Sequence, residues 1–390
     1  MFNIHKDLKV TDKLHEQIAM GKDIAEMYDA GMINFILSYF DRVKNWDDQY
    51  SISKQDMLYK SIYDYWVYGF RPDQQIYYEL LNKSHDEKKA YISLQEEIIY
   101  YTHLNRKSDI TSFEDKYESY KLLEPYYKRE VVKISGEKDF PVFEDFISRH
   151  PSFVVKPTGL HDTYGIRKVD TEGCNDIKAL FNSLINVGEK FVDDFSTGDY
   201  IHTGAVLEEI IEQDSRFGVF SPKSLSVIRI PTFRVNGKVH LHHAYTKIGS
   251  SDELIVGETR MAYMCGVDVN TGELTTPGIT EEGLVFEKHQ VSNIQFKGFK
   301  FPEWDKLVMM LKELGEQLIP TVNYIGWDVV LTPKGWVVVE GNFYGQALWQ
   351  SPYRRGMKKE LEELLGWHID DNKYWWQYKS KQIQKEAGLI

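Results

Sequence analysis

The segment GWDVVLTPKGWVVVEGN, residues 326–342, restricts the fold more than any other stretch of the chain. Two apolar runs flank Pro333, Lys334 and Gly335, and a glycine in the last of these places suits the left-handed position of a three-residue hairpin loop. On that count Thr332 faces Trp336, and counting back along both strands sets Asp328 opposite Glu340. Side chains alternate along a strand, so Asn342 shares the face of Glu340. Directly opposed residues hold their Cβ atoms about 5 Å apart, so three oxygen-bearing side chains converge on one patch. Two like charges at that spacing push one carboxylate toward neutrality unless a cation sits between them. A few oxygen ligands, all from protein strands, suit magnesium, which keeps several waters and takes substrate phosphates too. The plain alternative is a solvent-facing row on an edge hairpin.

The rest of the chain narrows the choice. Its 390 residues carry 47 Lys and Arg against 59 Asp and Glu, and the formal charge of -12 excludes a nucleic-acid protein or one held to an anionic membrane. A 42% hydrophobic, 14% aromatic composition belongs to a folded protein with two or three units. Cys174 and Cys265 stand far apart, without the spacing of metal ligands, so a disulfide framework is not expected and a reducing compartment fits. The start MFNIHKDLKVTDKLHEQ has no apolar signal region, and no apolar run is long enough to span a bilayer. A soluble, cytoplasmic protein is expected.

Apolar residues at helical spacing run through KLHEQIAMGKDIAEMYDAGMINFILSYFDRV and MLYKSIYDYWVYGF. The aromatics there (Tyr59, Tyr63, Tyr65, Trp66, Tyr68, Phe70) read as helix-packing core. From about residue 110 the pattern changes to short β-rich runs, interrupted by helical patterns near 176–188 and 304–319, and the tail from Met357 is helical and charged. Mixed order without strict alternation predicts an α+β fold with largely antiparallel sheets.

Within the β-rich part, Lys156 ends the strand SFVVKP directly before the loop TGLHDTYGI, which holds Gly159 and Gly165. A lysine there reaches a phosphate cradled by backbone N–H groups. The strand AVLEEIIEQ ends in acids and branched aliphatics; it can offer main-chain groups to an adenine edge, or be an ordinary amphipathic strand end. Arg229 lies between Ile228 and Ile230 in a strand without other charges, and arginine is almost never buried unpaired. It either forms an ion pair with a core acid or aims its donor fork at a phosphoryl group. His240 and His242 share one face of a strand, but no third ligand stands nearby, so polar strand positions are expected there instead of a metal site.

In this order (lysine, glycine loop, acidic strand end, arginine, aspartate, Glu-x-Asn) the chain resembles the ATP-grasp superfamily. Within it the chain is most similar to the sugar-transfer-associated branch that includes teichuronopeptide biosynthesis proteins. SLSVIRIPTFRVNGKV, VDVNTGEL and IGWDVVLTPKGWVVVEGN carry the resemblance most specifically. It implies an ATP-grasp fold, two α+β subdomains sandwiching ATP, behind a helical N-terminal domain. The corresponding division is 1–110 helical, 111–215 nucleotide-binding, 216–356 carrying the metal site, and 357–390 a helical tail. By resemblance Lys116 and Lys156 are the nucleotide lysines, Gly159 and Gly165 belong to the phosphate loop, and Glu208, Glu209 and Ile211 form the adenine hinge. Glu212 falls at the ribose, Arg229 and Lys247 at the transferring phosphoryl group, and Asp328, Glu340 and Asn342 at magnesium. The loop is poorer in glycine than the usual lid, Ser226 replaces an asparagine, and Lys247 stands where the branch often has arginine.

The implied activity is an ADP-forming carboxylate–amine ligase that makes an amide through an acyl phosphate, with ATP and Mg2+ as cofactors. A surface-polysaccharide precursor such as a uronic acid, joined to an amino acid, is the implied substrate pair, and polysaccharide-assembly enzymes are the implied partners. A phosphotransferase acting on a sugar and a non-catalytic nucleotide-binding scaffold are the alternatives.

Overall fold

The computed structural model describes residues 2–106, 112–159, 165–185, 204–250, 262–318, 321–343, 347–370 and 372–377. Helices fill the first hundred residues. The longest, Lys54–Tyr68, starts at Ser53, whose hydroxyl accepts the Asp56 N–H at 3.0 Å, and stops at Gly69 in the left-handed region. It packs against Leu14–Ala25 so closely that a Cβ on Gly21 would lie 1.8 Å from the Tyr59 carbonyl oxygen. Tyr63, Tyr68 and Phe70 are buried in this core, with Tyr59, Tyr65 and Trp66 packed against it, as the helical spacing predicts.

Two antiparallel sheets follow. The smaller has the order β1-β4-β2-β3, from Val131–Ile134 (β1), Ser152–Pro157 (β2), Arg167–Asp170 (β3) and Ala205–Glu209 (β4). Helices Phe140–Arg149 and Ile177–Ile185 cover it through Phe143, Phe146, Phe181 and Leu184. The larger sheet contains Val227–Val235 (β5), Lys238–Leu241 (β6), Ala244–Gly249 (β7), Ala262–Val267 (β8), Gly278–Ile279 (β9), Val285–Phe286 (β10), Tyr324–Thr332 (β11) and Gly335–Asn342 (β12). Its order is β10-β9-β8-β7-β5-β11-β12, with β6 beside β5. Every described pairing is antiparallel, and the fold is the expected α+β.

One face of the larger sheet carries helix Trp304–Gln317, which buries Leu307, Leu311 and Leu314 at helical spacing. Each such leucine contributes about 2 kcal/mol by leaving water. Phe233, Tyr245, Met264 and Tyr324 lie on the other face and join the core of the N-terminal helices, together with Trp349, Met357 and Leu361. The first hundred residues and the helix Lys358–Leu365 thus share one core with the sheet. Among the described residues no helix is long and apolar enough to cross a membrane.

Candidate active site

The hairpin turn is shorter than its sequence suggests. Thr332 pairs with Gly335, and Leu331, not Thr332, faces Trp336. Only Pro333 and Lys334 form the turn, where the Thr332 hydroxyl accepts the Lys334 N–H at 3.1 Å and donates to the Gly335 carbonyl at 2.8 Å. Gly335 has φ +94, which only glycine adopts without strain. If that register continued, Asp328 would meet Val339. A bulge intervenes: Val329 pairs with Val338, Asp328 with Glu340, and Val339 is left over. The expected opposition of Asp328 and Glu340 is present, reached through a shorter turn and one extra residue.

Asp328 also faces Arg229 on β5, and Arg229 faces Tyr245 on β7. Opposed residues share a face, so Tyr245, Arg229, Asp328 and Glu340 form one row across four strands. Arg229 binds Asp328 with its fork, Nε to Oδ1 at 2.5 Å and Nη2 to Oδ2 at 2.7 Å. Both are nearly buried, at 6% and 8% exposure. Burial alone would raise the Asp328 carboxyl, but Arg229 and then Lys247 hold it below the usual range. Lys247, two residues along β7 from Tyr245, lies on the same face.

Glu340 differs from its neighbour. Among the described residues its carboxylate makes no hydrogen bond or ion pair, and Lys116 and Arg229 are the cations that feel its charge. Asn342, opposite Gly326, buries an amide Nδ2 that has no hydrogen-bond partner among the described residues.

The smaller sheet supplies the facing side. Lys156, near the end of β2, binds Glu208 on β4 at 2.8 Å, and Arg129 binds the other Glu208 oxygen at 2.9 Å. Burial would raise Glu208, yet Lys156 and Arg129 bring it down to about 2. Lys116 opens helix Lys116–Tyr127, capped by Asp115, whose carboxylate accepts the Tyr117 N–H at 2.8 Å. The Lys116 N–H donates to the Thr158 carbonyl just beyond Lys156. Burial lowers the Lys116 ammonium; Glu340 and Glu208 favour its charge and Lys156 opposes it. Lys116 therefore links the two sheets, and the cations Lys116, Lys156, Arg129, Arg229 and Lys247 gather around Glu208, Asp328 and Glu340. Such a surplus suits a ligand with several negative charges.

The remaining expected residues lie at or just beyond strand ends of the smaller sheet. Glu209 points away from Glu208, accepting from the Glu130 N–H at 3.1 Å and lying 3.5 Å from the Lys334 ammonium. Ile211 packs partly into the core of the larger sheet, and Glu212 is exposed. Gly159 follows β2 and Gly165 is exposed, while the loop between them, 160–164, lies outside the described residues. The far end of the 176–188 helical pattern also lies outside them.

Sequence reasoning passed over three groups. Arg129 shows no signal ahead of β1, a lone arginine after KLLEPYYK. Glu97, on helix Leu94–Leu104, accepts the Ala347 N–H at 2.8 Å, and burial pushes it up to about 7. A carboxylate among buried residues on the helix, Ile99, Tyr100 and Tyr101, was its available sign. The Tyr245 hydroxyl is buried beside Arg229 without a hydrogen-bond partner among the described residues.

The profile described as sugar-transfer associated ATP-grasp matches residues 95–365. No curated protein matches the chain. Among solved structures it is similar to the D-alanyl-alanine synthetase A of Vibrio cholerae O1 biovar eltor, at 11% identity over 73% of this chain and 68% of that one, with TM-score 0.39. It is also similar to a Chryseobacterium gregarium RiPP-associated ATP-grasp ligase in complex with ADP and a leader and core peptide (13% identity, 69% and 66% covered, TM-score 0.38). A third is the D-Alanine-D-Alanine Ligase of Helicobacter pylori (15% identity, 67% and 63% covered, TM-score 0.38). The family profile covers both sheets and the row of charged residues on the larger one. The chain belongs to the sugar-transfer associated ATP-grasp family, and its fold is the ATP-grasp fold.

Proposed function

We propose that the protein is an ATP-dependent carboxylate–amine ligase acting on a saccharide precursor, a uronic acid joined to an amino acid. One observation carries the reading: the row Arg229–Asp328–Glu340 runs from a buried ion pair to a half-buried carboxylate with no hydrogen bond or ion pair among the described residues, and the charge of Lys116 acts on it from the nucleotide side. The division at 110, 215 and 356 belongs to the same proposal, as do polysaccharide-assembly partners and a cytoplasmic location.

The donor set fits magnesium. Glu340 and Asn342 offer oxygen, the Asn342 amide has a buried atom without a hydrogen-bond partner among the described residues, and exchanging its N and O assignment turns an oxygen toward that position. Both Asp328 oxygens already accept from Arg229, so this carboxylate would ligate through its remaining lone pairs. Among the described residues no group of three or more His, Cys, Asp or Glu gathers to hold a metal, and phosphates of the nucleotide would supply further oxygen ligands. Bound there, magnesium would neutralise charge on the β- and γ-phosphates.

The chain's own residues do the rest. Lys156 and Lys116 screen the phosphates, and Glu208 to Ile211 line the base. An oxygen of the substrate carboxylate attacks the γ-phosphorus as the bond to the β-phosphate oxygen breaks and ADP departs with the electron pair. Arg229 and Lys247 stabilise the charge of the resulting acyl phosphate. The amine nitrogen then attacks the acyl carbon, phosphate leaves with the bonding pair, and the nitrogen gives up a proton. No protein nucleophile takes part.

A matrix of uronic acids and amino acids, scored for ATP-dependent phosphate release, tests this. Release only when acid and amine are both present is expected. ADP formation with a sugar hydroxyl alone would make the protein a phosphotransferase, and ATP binding without turnover on any pair would make it a scaffold.

A further inference from the structure

Arg129 lies just past helix Lys116–Tyr127, where Lys128 turns the chain in the left-handed region. It is 8% exposed and belongs to no expected site. Its guanidinium sits 4.1 Å from the Tyr127 ring and donates to the Tyr127 carbonyl at 3.3 Å. One edge binds Glu208 on β4, with Nε at 3.0 Å. The rest crosses to the other sheet: Nη1 donates to the Val338 carbonyl at 2.7 Å and Nη2 to the Val339 carbonyl at 3.2 Å.

Val339 is the bulged residue and Val338 the last paired residue before it. A bulged residue loses its ladder partner, and a buried carbonyl without a donor costs about 1–3 kcal/mol. The bulge also decides which way Glu340 points. Without it, Val339 would meet Asp328, and Glu340 would turn to the face occupied by Ile228 and Ile230. We infer that Arg129 is a positioning residue: it props the β12 bulge that holds Glu340 in the Asp328 row, and through Glu208 it ties that bulge to Lys156. Lysine cannot replace it, because one ammonium has no planar fork to share between a carboxylate and two carbonyls.

As a statement about nucleotide and magnesium, the inference rests on the ligase reading; as a statement about the bulge, it does not. Arg129→Lys keeps a cation beside Glu208 and is the main variant, with Arg129→Met second in case the first misfolds. Hydrogen exchange should quicken at residues 338–341 and stay unchanged in β2. Calorimetric ATP affinity without magnesium should change little, whereas the gain in affinity on adding magnesium should shrink by a factor on the order of ten or more, as when a ligand loses its support. Glu208→Gln should do the reverse, weakening ATP without magnesium and sparing the magnesium gain. Unchanged exchange at 338–341 in Arg129→Lys overturns the strut. Faster exchange with an intact magnesium gain overturns its link to the site. Wild-type protein that binds no ATP defeats the ligase reading instead, and exchange alone then decides the strut.

Discussion

Two buried ionic clusters in this molecule are built on opposite terms. In the N-terminal helices, Asp64 is shared by Lys60 and Lys88, and Lys60 also donates to Gln75 at 2.9 Å. All three charged side chains are at most 1% exposed, and the single carboxylate has two cations. On the sheet, Asp328 is bound by Arg229, but the next carboxylate in the row, Glu340, has no such partner among the described residues, and the amide of Asn342 is unsatisfied. Burying a charge without a partner is costly, so the helical cluster has the form expected where only folding is at stake. The sheet row tolerates open valences because, on the proposed function, a ligand closes them.

The harshest way to break this contrast is Asp64→Leu. Two ammonium groups would stay in a dry interior without a counterion, and removing one partner of such a cluster costs about 3–5 kcal/mol. Urea unfolding should show that loss, while the fraction still folded binds ATP as wild type does. A variant that unfolds at the wild-type midpoint would show the helical cluster to be as dispensable as an open one.

Glu340→Gln tests the other side. Glu340 is half-buried, holds no hydrogen bond or ion pair among the described residues, and acts on Lys116 and Arg229 only through space, so the melting temperature should change little. Turnover should fall on the order of hundreds-fold, roughly 3 kcal/mol of barrier. Asp328→Asn should differ by lowering both, since it strands Arg229. A Glu340→Gln protein that melts early and keeps its turnover would make the row structural and the contrast false.

The sequence reveals unequal parts of this. Period-2 alternation exposes the opposition of Asp328 and Glu340, yet two local deviations had to cancel for the count to come out. The turn is one residue shorter, and the bulge at Val339 restores the offset; nothing in WVVVEGN marks a bulge. Arg229 announces itself as a buried charge in need of a partner, but the partner lies 99 residues away on a neighbouring strand. Strand order is a tertiary choice that local pattern does not encode. The helical half reads well as helices, because apolar spacing is local, and Lys60 and Asp64 are visibly four residues apart. Their complete burial, and the arrival of Lys88 from another helix, come only with packing.

Alkaline pH separates the clusters more gently. Burial pulls the Lys60 ammonium down from 10.5 to about 8, against the pull of Asp64. Between those values the unfolded chain binds more protons than the folded one, so this cost is relieved and stability rises with pH. The window closes near pH 10, where tyrosines ionise first in the unfolded chain; burial holds Tyr50 and Tyr65 up to about 12, so their contribution is lost as pH climbs further. From pH 7 to 9.5 the Lys60 relief should be on the order of 1 kcal/mol by urea midpoints. Lys60→Met should flatten the slope. A wild-type slope of opposite sign would mean that Lys60 stays fully charged beside Asp64.

The smallest effect asks what holds the open row in place. The helical cluster is set by helix periodicity, but the row depends on two backbone irregularities, the turn at Gly335 and the bulge at Val339. Gly335 sits at φ +94, and the nearest atom to an added Cβ would be the Lys128 ammonium at 3.5 Å, the mobile end of a long side chain. Gly335→Ala therefore suffers from its backbone angle and not from a clash, at about 1 kcal/mol. The bulge lies between this turn and Glu340, with the Val338 and Val339 carbonyls held by Arg129, so strain at the turn should be absorbed before it reaches the row. Melting should drop by a few degrees, while magnesium-dependent ATP affinity stays within about twofold, under 0.5 kcal/mol. A larger loss of affinity than of stability would mean that the turn, and not the Arg129-braced bulge, aims Glu340.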